Sequence, residues 1–206
     1  MLVENNIEKR IVEKARDQFL KYGIRTISMD DIANELGVSK KTIYKYYKDK
    51  KTLVKKVTTQ VVDNVQYTCT NTFDKSKNAI EQLLGLADFI NSFFENMNPA
   101  VFYDLEKYFP SSYKILQEHH EVFIFNSIKD NYKRGVSEGF FRESIDVDIL
   151  AKLRLAQIRS AYDTSLFPPN KYNLREVQLV ALELTMLGIA TEKGKKLIEK
   201  YKNKNS

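Results

Sequence analysis

Apolar side chains recur every three or four residues along the start of the chain, which is the spacing of one face of an α-helix. A first helix is predicted over about residues 5–22 from Ile7, Ile11, Val12, Ala15, Phe19 and Leu20. Gly23 follows directly and suits the left-handed conformation that commonly ends a helix. The chain is therefore expected to open with a helix and a sharp turn.

The next stretch predicts two short helices separated by a tight turn. Ser28 and Asp31 have the spacing of a capping box at a helix N-terminus. Residues 37–39 (Gly-Val-Ser) form the turn, and their serine is a suitable N-cap for a helix whose Ile43 and Tyr47 share one side. Two short helices joined in this way form a helix-turn-helix, whose second helix enters the major groove of DNA.

Helices are also predicted for the remainder of the chain. Asp49 is expected to cap a long helix that ends near Thr72. Later helices are predicted over about residues 80–94, 100–109, 111–133, 147–166 and 174–190. The expected N-caps of the last three are Ser111 or Ser112, Asp146 and Asn173. Gly135 and Gly139 are expected in a connection between helices, and the tail is either a short helix from Lys196 or disordered.

The two helices predicted over 147–166 and 174–190 are apolar on more than one side, as in LVALELTMLGIA from Leu179. A helix that is apolar around most of its circumference must be buried on several sides. Two such helices from each of two chains would form a four-helix seam with twofold symmetry. We therefore expect a homodimer through these helices, the alternative being a central helix in a monomer.

Charge is concentrated at the N-terminus. Residues 1–56 hold 14 Lys/Arg and 8 Asp/Glu, a net charge of +6, which equals the net charge of the whole chain. Positive charge localised in this way is typical of a protein that binds a polyanion, although a solvated lysine face is the alternative. The pattern predicts an all-α fold with a DNA-binding domain over residues 1–56 and a larger helical domain over 57–206.

The segment SKKTIYKYYKDKK (39–51) carries six lysines and three tyrosines, and it contains the predicted second helix of the motif. With Ile43 and Tyr47 facing inward, the other lysines and tyrosines of this helix are left mostly outside. Lysines attract phosphates, and tyrosines can offer hydroxyls to phosphates and apolar contact to thymine methyl groups. The N-terminus of the following helix, at Asp49–Lys51, can direct backbone N–H groups at a phosphate.

The run TISMDDIANELGVSKKTIYKYYKDKKTL (26–53) resembles the DNA-binding signature of the TetR family of bacterial transcriptional regulators, and the match extends over residues 7–57. The resemblance implies a homodimer that binds a near-palindromic operator, usually as a repressor, and is released by a small ligand held in the C-terminal domain. DNA contacts are implied for Ser28, Ser39, Lys40, Lys41, Thr42, Tyr44, Lys45, Tyr46 and Lys50. Lys41 stands where the family often has glycine, and Tyr46 where it often has histidine.

Aromatic side chains are frequent in the middle of the chain, which is compatible with a ligand site between helices or with ordinary core packing. The candidate lining residues are Phe89, Phe93, Phe123 and Tyr162. The aromatic excess predicts an apolar or flat ligand. The long helix that begins near Asp49 joins both domains and is the expected lever between ligand and DNA.

Other chemistries find little support in the sequence. His119 and His120 are adjacent, whereas metal pairs on helices need a spacing of three or four, so we expect no metal site, and Cys69 is expected to be a small buried hydrophobe. We found no catalytic constellation, so neither a catalytic residue nor a cofactor is predicted. No apolar run of membrane-spanning length and no signal-peptide pattern occurs, so we expect a cytoplasmic protein.

Two alternatives to a ligand-responsive repressor remain at this stage. One is an activator, or a regulator controlled by a protein partner without a small ligand. The other is a helical adaptor whose basic N-terminus binds another polyanion, such as RNA or anionic lipid, without discriminating among duplex sequences. An enzyme is not supported.

Overall fold

The computed structural model describes residues 2–203, with side chains described from residue 7 onward except that of residue 202. The helices are α1 (Leu2–Tyr22), α2 (Met29–Leu36), α3 (Lys40–Tyr46), α4 (Lys50–Lys75), α5 (Ala79–Phe93), α6 (Ala100–Tyr108), α7 (Pro110–Glu118), α8 (Phe125–Ser137), α9 (Val147–Ser160), α10 (Leu174–Ile189) and α11 (Glu192–Lys202). A π-helical turn, His119–Ile124, joins α7 to α8. The predicted all-α fold class is confirmed.

The described chain forms two compact units. Unit 1 comprises residues 2–65 and 96–118, and unit 2 comprises residues 66–95 and 119–203. This division differs from the single boundary predicted after residue 56, because α6 and α7 pack with the N-terminal helices. The functional assignment of 1–56 to DNA and of 57–206 to ligand and dimer stays a prediction.

The core of unit 1 is built around α3. Ile11, Phe19, Ile32, Ile43 and Leu53, one or two from each of the first four helices, are at most 2% exposed. Three side chains of the later segment complete this core, namely Val101, Leu105 and Phe109. Burying them removes apolar surface from water at about 25 cal/mol per Å², so α6 stabilises the same core that supports α3.

The core of unit 2 lies among α5, α8, α10 and α11. Ile80, Tyr132, Phe141 and Ile198 belong to it, and each is at most 4% exposed. Gly135 lies within α8, and not in a connection as predicted. A glycine is needed there because a Cβ atom would come within 1.9 Å of the Phe141 ring. The basic tail is resolved in favour of a helix, α11, which begins earlier than the predicted Lys196 and is capped by Thr191.

Two predicted helices differ from those observed. The helix expected to begin after Ser111 or Ser112 begins at Pro110, a residue suited to the first helical position, and Ser112 is fully buried in its first turn. That helix was predicted to continue unbroken to about residue 133, whereas the π-helical turn interrupts it.

The helix predicted over 147–166 ends at Ser160. Asp163 accounts for the early end, since its Oδ1 accepts hydrogen bonds from the Ser165 N–H at 2.8 Å and the Ser165 hydroxyl at 2.6 Å. A short polar side chain that binds nearby backbone groups in this way favours a turn over a helix. The predicted N-cap Asp146 and the helix from Asn173 are both observed.

Candidate nucleic-acid interface

The turn between α2 and α3 is fixed by local hydrogen bonds. Ser28 and Asp31 form a complete capping box at the start of α2. Gly37 adopts a left-handed conformation with φ of 66°, and the Val38 N–H donates to the Ala33 carbonyl at 3.0 Å. These bonds end α2 and turn the chain within three residues, as the sequence predicted.

Helix α3 begins at a second cap and has one buried side. The Ser39 hydroxyl accepts the N–H of Thr42 at 3.1 Å. Ile43 is fully buried and Tyr47 is 4% exposed, and the Tyr47 hydroxyl donates to Glu8 Oε1. With this side anchored in the core of unit 1, the opposite side of α3 faces outward.

The structure brings the predicted DNA-contacting residues together on and around α3. Six of the nine are exposed: Ser28, Ser39, Lys40, Lys41, Tyr44 and Lys45. Thr42, Tyr46 and Lys50 are partly buried. Tyr46 departs most from the prediction of a mostly outward side chain, because it packs against the core of unit 1.

Two lysines of this surface already have partners within the protein. The Lys40 ammonium pairs with Asp30 at 2.8 Å, and this hydrogen bond raises the pKa of Lys40. Lys50 Nζ donates to the Arg25 carbonyl at 3.3 Å, and burial lowers the pKa of Lys50 although the nearby Asp104 and Asp31 oppose that shift. A phosphate that bound either lysine would compete with these contacts.

The N-terminus of α4 is less available than predicted. The Asp49 carboxylate accepts the Thr52 N–H at 2.7 Å and the Thr52 hydroxyl at 2.8 Å, and these bonds lower the pKa of Asp49. A carboxylate therefore already occupies part of the position that the sequence suggested for a phosphate.

Sequence reasoning missed a buried acid that holds the loop before α2. Asp104 of α6 is 6% exposed and accepts the N–H of Arg25 at 2.9 Å. The Arg25 guanidinium lies 4.3 Å from the centre of the Tyr108 ring and donates to the Tyr108 hydroxyl. The only signal in the sequence is an aspartate beside Val101 and Leu105 on the apolar side of a helix.

The four aromatic residues proposed for a ligand site lie in one continuous series of rings in unit 2, here called the aromatic chain. Its rings follow in the order Phe89, Phe93, Phe94, Tyr162, His120, His119 and Phe123, with neighbouring centroids 5.0 to 6.4 Å apart. Such distances are typical of interacting aromatic pairs. The two histidines, for which the sequence predicted no site, lie between Tyr162 at the centre of the series and Phe123 at its end.

The exposed face of α9 and α10 is apolar. Ile149 and Leu153 of α9 are 59% and 60% exposed, and Val180 and Leu184 of α10 are 56% and 64% exposed. In each helix the two residues are four apart, so they lie on one side. The apolar stripe, defined as these four side chains with Leu187, is unusual for a surface exposed to water.

Cys69 is buried, as expected, and burial raises the pKa of its thiol to about 11. Among the described residues, no helix is both long and apolar enough to cross a membrane, and no group of three metal-binding side chains is found.

The arrangement of α2, the turn and α3 defines a helix-turn-helix protein of the DNA-binding class. Residues 11–57 match the family described as "Bacterial regulatory proteins, tetR family". Residues 11–57 thus form a DNA-binding segment of the TetR family, and the similarities to known regulators support a regulator and not an enzyme.

Known proteins are similar to this chain in sequence or fold. The uncharacterised HTH-type transcriptional regulator YhgD of Bacillus subtilis is 30% identical over 117 residues, or 56% of this chain and 54% of that protein. The chain thus matches about half the length of this curated relative. A TetR-family regulator from Agrobacterium tumefaciens has a TM-score of 0.76 at 14% identity, covering 91% of this chain and all of that one. A regulator from Saccharomonospora viridis in complex with choline has a TM-score of 0.73 at 17% identity, covering 91% and 100%.

Proposed function

We propose that the protein is a homodimeric transcriptional repressor that binds a near-palindromic operator and is released by a small apolar or aromatic ligand. The observation that carries the proposal is the outward face of α3, where a capped helix anchored by Ile43 presents lysines and a tyrosine. The cytoplasmic location is part of the same proposal. The alternative is a transcriptional activator, or a regulator that is controlled by a protein partner without a small ligand.

The chemistry of α3 suits duplex DNA. Lys41 and Lys45 are exposed on a helix that follows a tight turn, so they can approach the phosphates on either side of a major groove. Tyr44, 42% exposed, is a stiff side chain that can contact base edges. RNA helices have a deep and narrow major groove that a helix cannot read, which favours DNA over the RNA-binding alternative.

The apolar stripe supports the dimer. A second copy related by twofold symmetry would cover Leu153 and Leu184 of one chain with the same side chains of the other. Two copies of α3 would then read two half-sites spaced by about 34–36 Å or a multiple of that distance. Since α9 ends at Ser160, the proposed seam consists of α9 and α10 with the bounds given above.

Release by a ligand requires that the ligand prefer the protein state that does not bind DNA, since equal affinity for both states shifts nothing. The aromatic chain offers an apolar environment in unit 2. The fold neighbour from Saccharomonospora viridis is known in complex with a small molecule, choline. Helix α4 contributes residues 50–65 to unit 1 and residues 66–75 to unit 2. We therefore still propose that α4 couples ligand binding to DNA binding.

The first experiment asks which genomic fragments the purified protein retains at moderate salt. We expect a few fragments that share an inverted repeat, and we expect their loss in the variant Tyr44→Ala/Lys45→Ala. Lys114→Ala is the matched control, because it removes one exposed charge from unit 1 outside α3. Uniform retention of all fragments, abolished by salt alone, would favour the adaptor alternative.

The second experiment tests the dimer by sedimentation. Leu184→Glu places a charge in the apolar stripe and should produce monomers, whereas Val122→Glu, at a residue 61% exposed in the π-helical turn, should leave the mass unchanged. A wild-type monomer at micromolar concentration would contradict the proposed assembly.

The third experiment adds compounds to the operator complex and follows DNA release. Dose-dependent release by a small molecule supports the ligand-responsive form. Unchanged DNA binding across a broad panel, together with capture of a specific protein that releases the DNA, would favour the partner-regulated alternative.

A further inference from the structure

A charged side chain lies buried in unit 2 without an opposite charge. Arg154 of α9 is 4% exposed and lies on the buried side of the helix with Ala151 and Leu155. Its one hydrogen bond in the described chain runs from Nη1 to Gln157 Oε1, at 3.4 Å. No carboxylate among residues 7–201 is within ion-pair distance of the Arg154 guanidinium.

This arrangement is costly. A buried charge is normally paired, because removing it from water costs far more than removing a neutral group. Burial lowers the pKa of Arg154 only to about 10, so the guanidinium keeps its charge at neutral pH. By contrast, Arg159 on the same helix is exposed and pairs with Glu121 at 3.2 Å.

Arg154 is related to the aromatic chain through Tyr162. The two side chains interact electrostatically, since burial raises the pKa of Tyr162 while the Arg154 guanidinium opposes that increase. The Tyr162 ring lies 6.0 Å from the His120 ring and 6.4 Å from the Phe94 ring. The positive charge of Arg154 thus acts on the middle ring of the aromatic chain, whose two ends are the phenylalanine rings of Phe89 and Phe123.

The histidines add polar groups without adding charge. His119 and His120 are 6% and 5% exposed, and burial lowers the pKa of His119 to about 4 and that of His120 to about 3. Both rings are neutral near pH 7 and can each donate or accept a hydrogen bond. The His119 ring does so with Gln66 at 3.2 Å.

We propose that Arg154 and the aromatic chain bind a carboxylic acid with a flat or apolar body, with the carboxylate paired to Arg154. The inference rests on the proposed function, since it names the chemical class of the effector. A planar guanidinium pairs with a carboxylate through two parallel hydrogen bonds, which Gln157 alone does not supply. One cation neutralises a monoanion, whereas a phosphate dianion would bring an uncompensated charge into the same interior.

The test compares ligands matched except for charge. Straight-chain alkanoates and phenylalkanoates are titrated against the purified full chain by calorimetry, each beside its primary carboxamide. We expect at least one carboxylate to bind roughly tenfold or more tightly than its amide, the size of one charge-assisted interaction. Arg154→Met should remove that preference, and Arg159→Met should keep it.

Thermal stability without ligand separates a binding role from a structural one. Methionine replaces a buried unpaired guanidinium with an apolar side chain of similar length, so Arg154→Met should melt at the same temperature as the wild type or higher. A lower melting temperature would indicate that the guanidinium holds the fold. If the variant does not fold, the comparison of carboxylates and amides on the wild-type chain still tests whether binding requires the negative charge of the ligand.

The outcomes also separate this inference from the proposed function. Equal binding of carboxylates and amides, binding that Arg154→Met leaves unchanged, or no binding up to millimolar concentration would each overturn the inference. Operator retention that depends on Tyr44 and Lys45 would survive that result. Conversely, a carboxylate that binds through Arg154 but leaves the operator complex intact would support the site and contradict its role in release.

Discussion

The two units treat buried charge in opposite ways. In unit 1, Asp104 accepts the Arg25 N–H, and so a buried acid holds the loop that leads into α2. In unit 2, Arg154 is equally buried and has no carboxylate beside it. A satisfied buried charge fixes one conformation, whereas an unsatisfied one lowers stability and marks a functional site. The comparison indicates that the buried acid of unit 1 stabilises its fold, whereas the buried arginine of unit 2 supports the ligand site that we propose.

The largest expected effect comes from acid acting on unit 2. The chain's only two histidines have pKa values of about 4 and about 3 when folded, below the ordinary 6.5. Below pH 6.5 the unfolded chain therefore binds protons that the folded chain does not. For each histidine the free energy of unfolding should fall as the pH drops from 6.5 to 5, with a slope that approaches about 1.4 kcal/mol per pH unit toward pH 5.

Urea denaturation from pH 7 to 5 measures this slope, and hydrogen exchange assigns it to unit 1 or unit 2. The double variant His119→Gln/His120→Gln should flatten it, because no other side chain of the sequence ordinarily titrates in that window. An unchanged slope in the double variant would contradict the prediction. An equal loss of hydrogen-exchange protection in both units would show that the two units do not differ in their response to acid.

Removing the buried acid of unit 1 should have the next largest effect. Asp104→Ala leaves the Arg25 N–H without its acceptor, at a cost of about 1–3 kcal/mol in the free energy of unfolding. Glu106→Ala is the control, since Glu106 is exposed two positions along the same helix. Equal stability of the two variants would mean that the loop before α2 does not depend on this carboxylate.

A smaller effect is expected at the capping box. Ser28→Ala removes the side chain that accepts the Asp31 N–H at 3.1 Å, and should cost about 1 kcal/mol. Thr26→Ala, at an exposed neighbouring residue, should be close to neutral. Hydrogen exchange in α2 reports the loss directly, and unchanged protection there would contradict the assigned cap.

The smallest effect is expected at Lys40. Its ammonium is exposed and paired with Asp30, so Lys40→Ala should leave the melting temperature unchanged. In operator binding it should reduce the slope of log K against log salt by less than Lys41→Ala does, because Asp30 already compensates part of its charge. A larger loss for Lys40 would show that DNA displaces the Asp30 contact.

A feature could be predicted from the sequence when the residues that form it lie close together along the chain. The caps at Ser28, Ser39 and Asp146 and the inward side of α3 arise from residues three or four apart, and all were predicted. The Asp104 contact joins residues 79 apart, and no local pattern reports such a pair. Arg154 likewise lies in a segment, LRLAQIR, whose spacing does not show whether the arginine faces water or the interior. DNA contacts and ligand contacts remain predictions.

The π-helical turn between α7 and α8 has an evolutionary consequence. Such a turn accommodates one residue more than an α-helical turn, so it has the form of a single-residue insertion in a helix. Deleting one residue there would restore a continuous α-helix, and because the wide turn absorbs the extra residue locally, the side chains of α7 and α8 would keep their mutual orientation. A single codon gained or lost at this turn would thus change the rings of the turn itself, while α8 keeps its orientation and α3 is untouched.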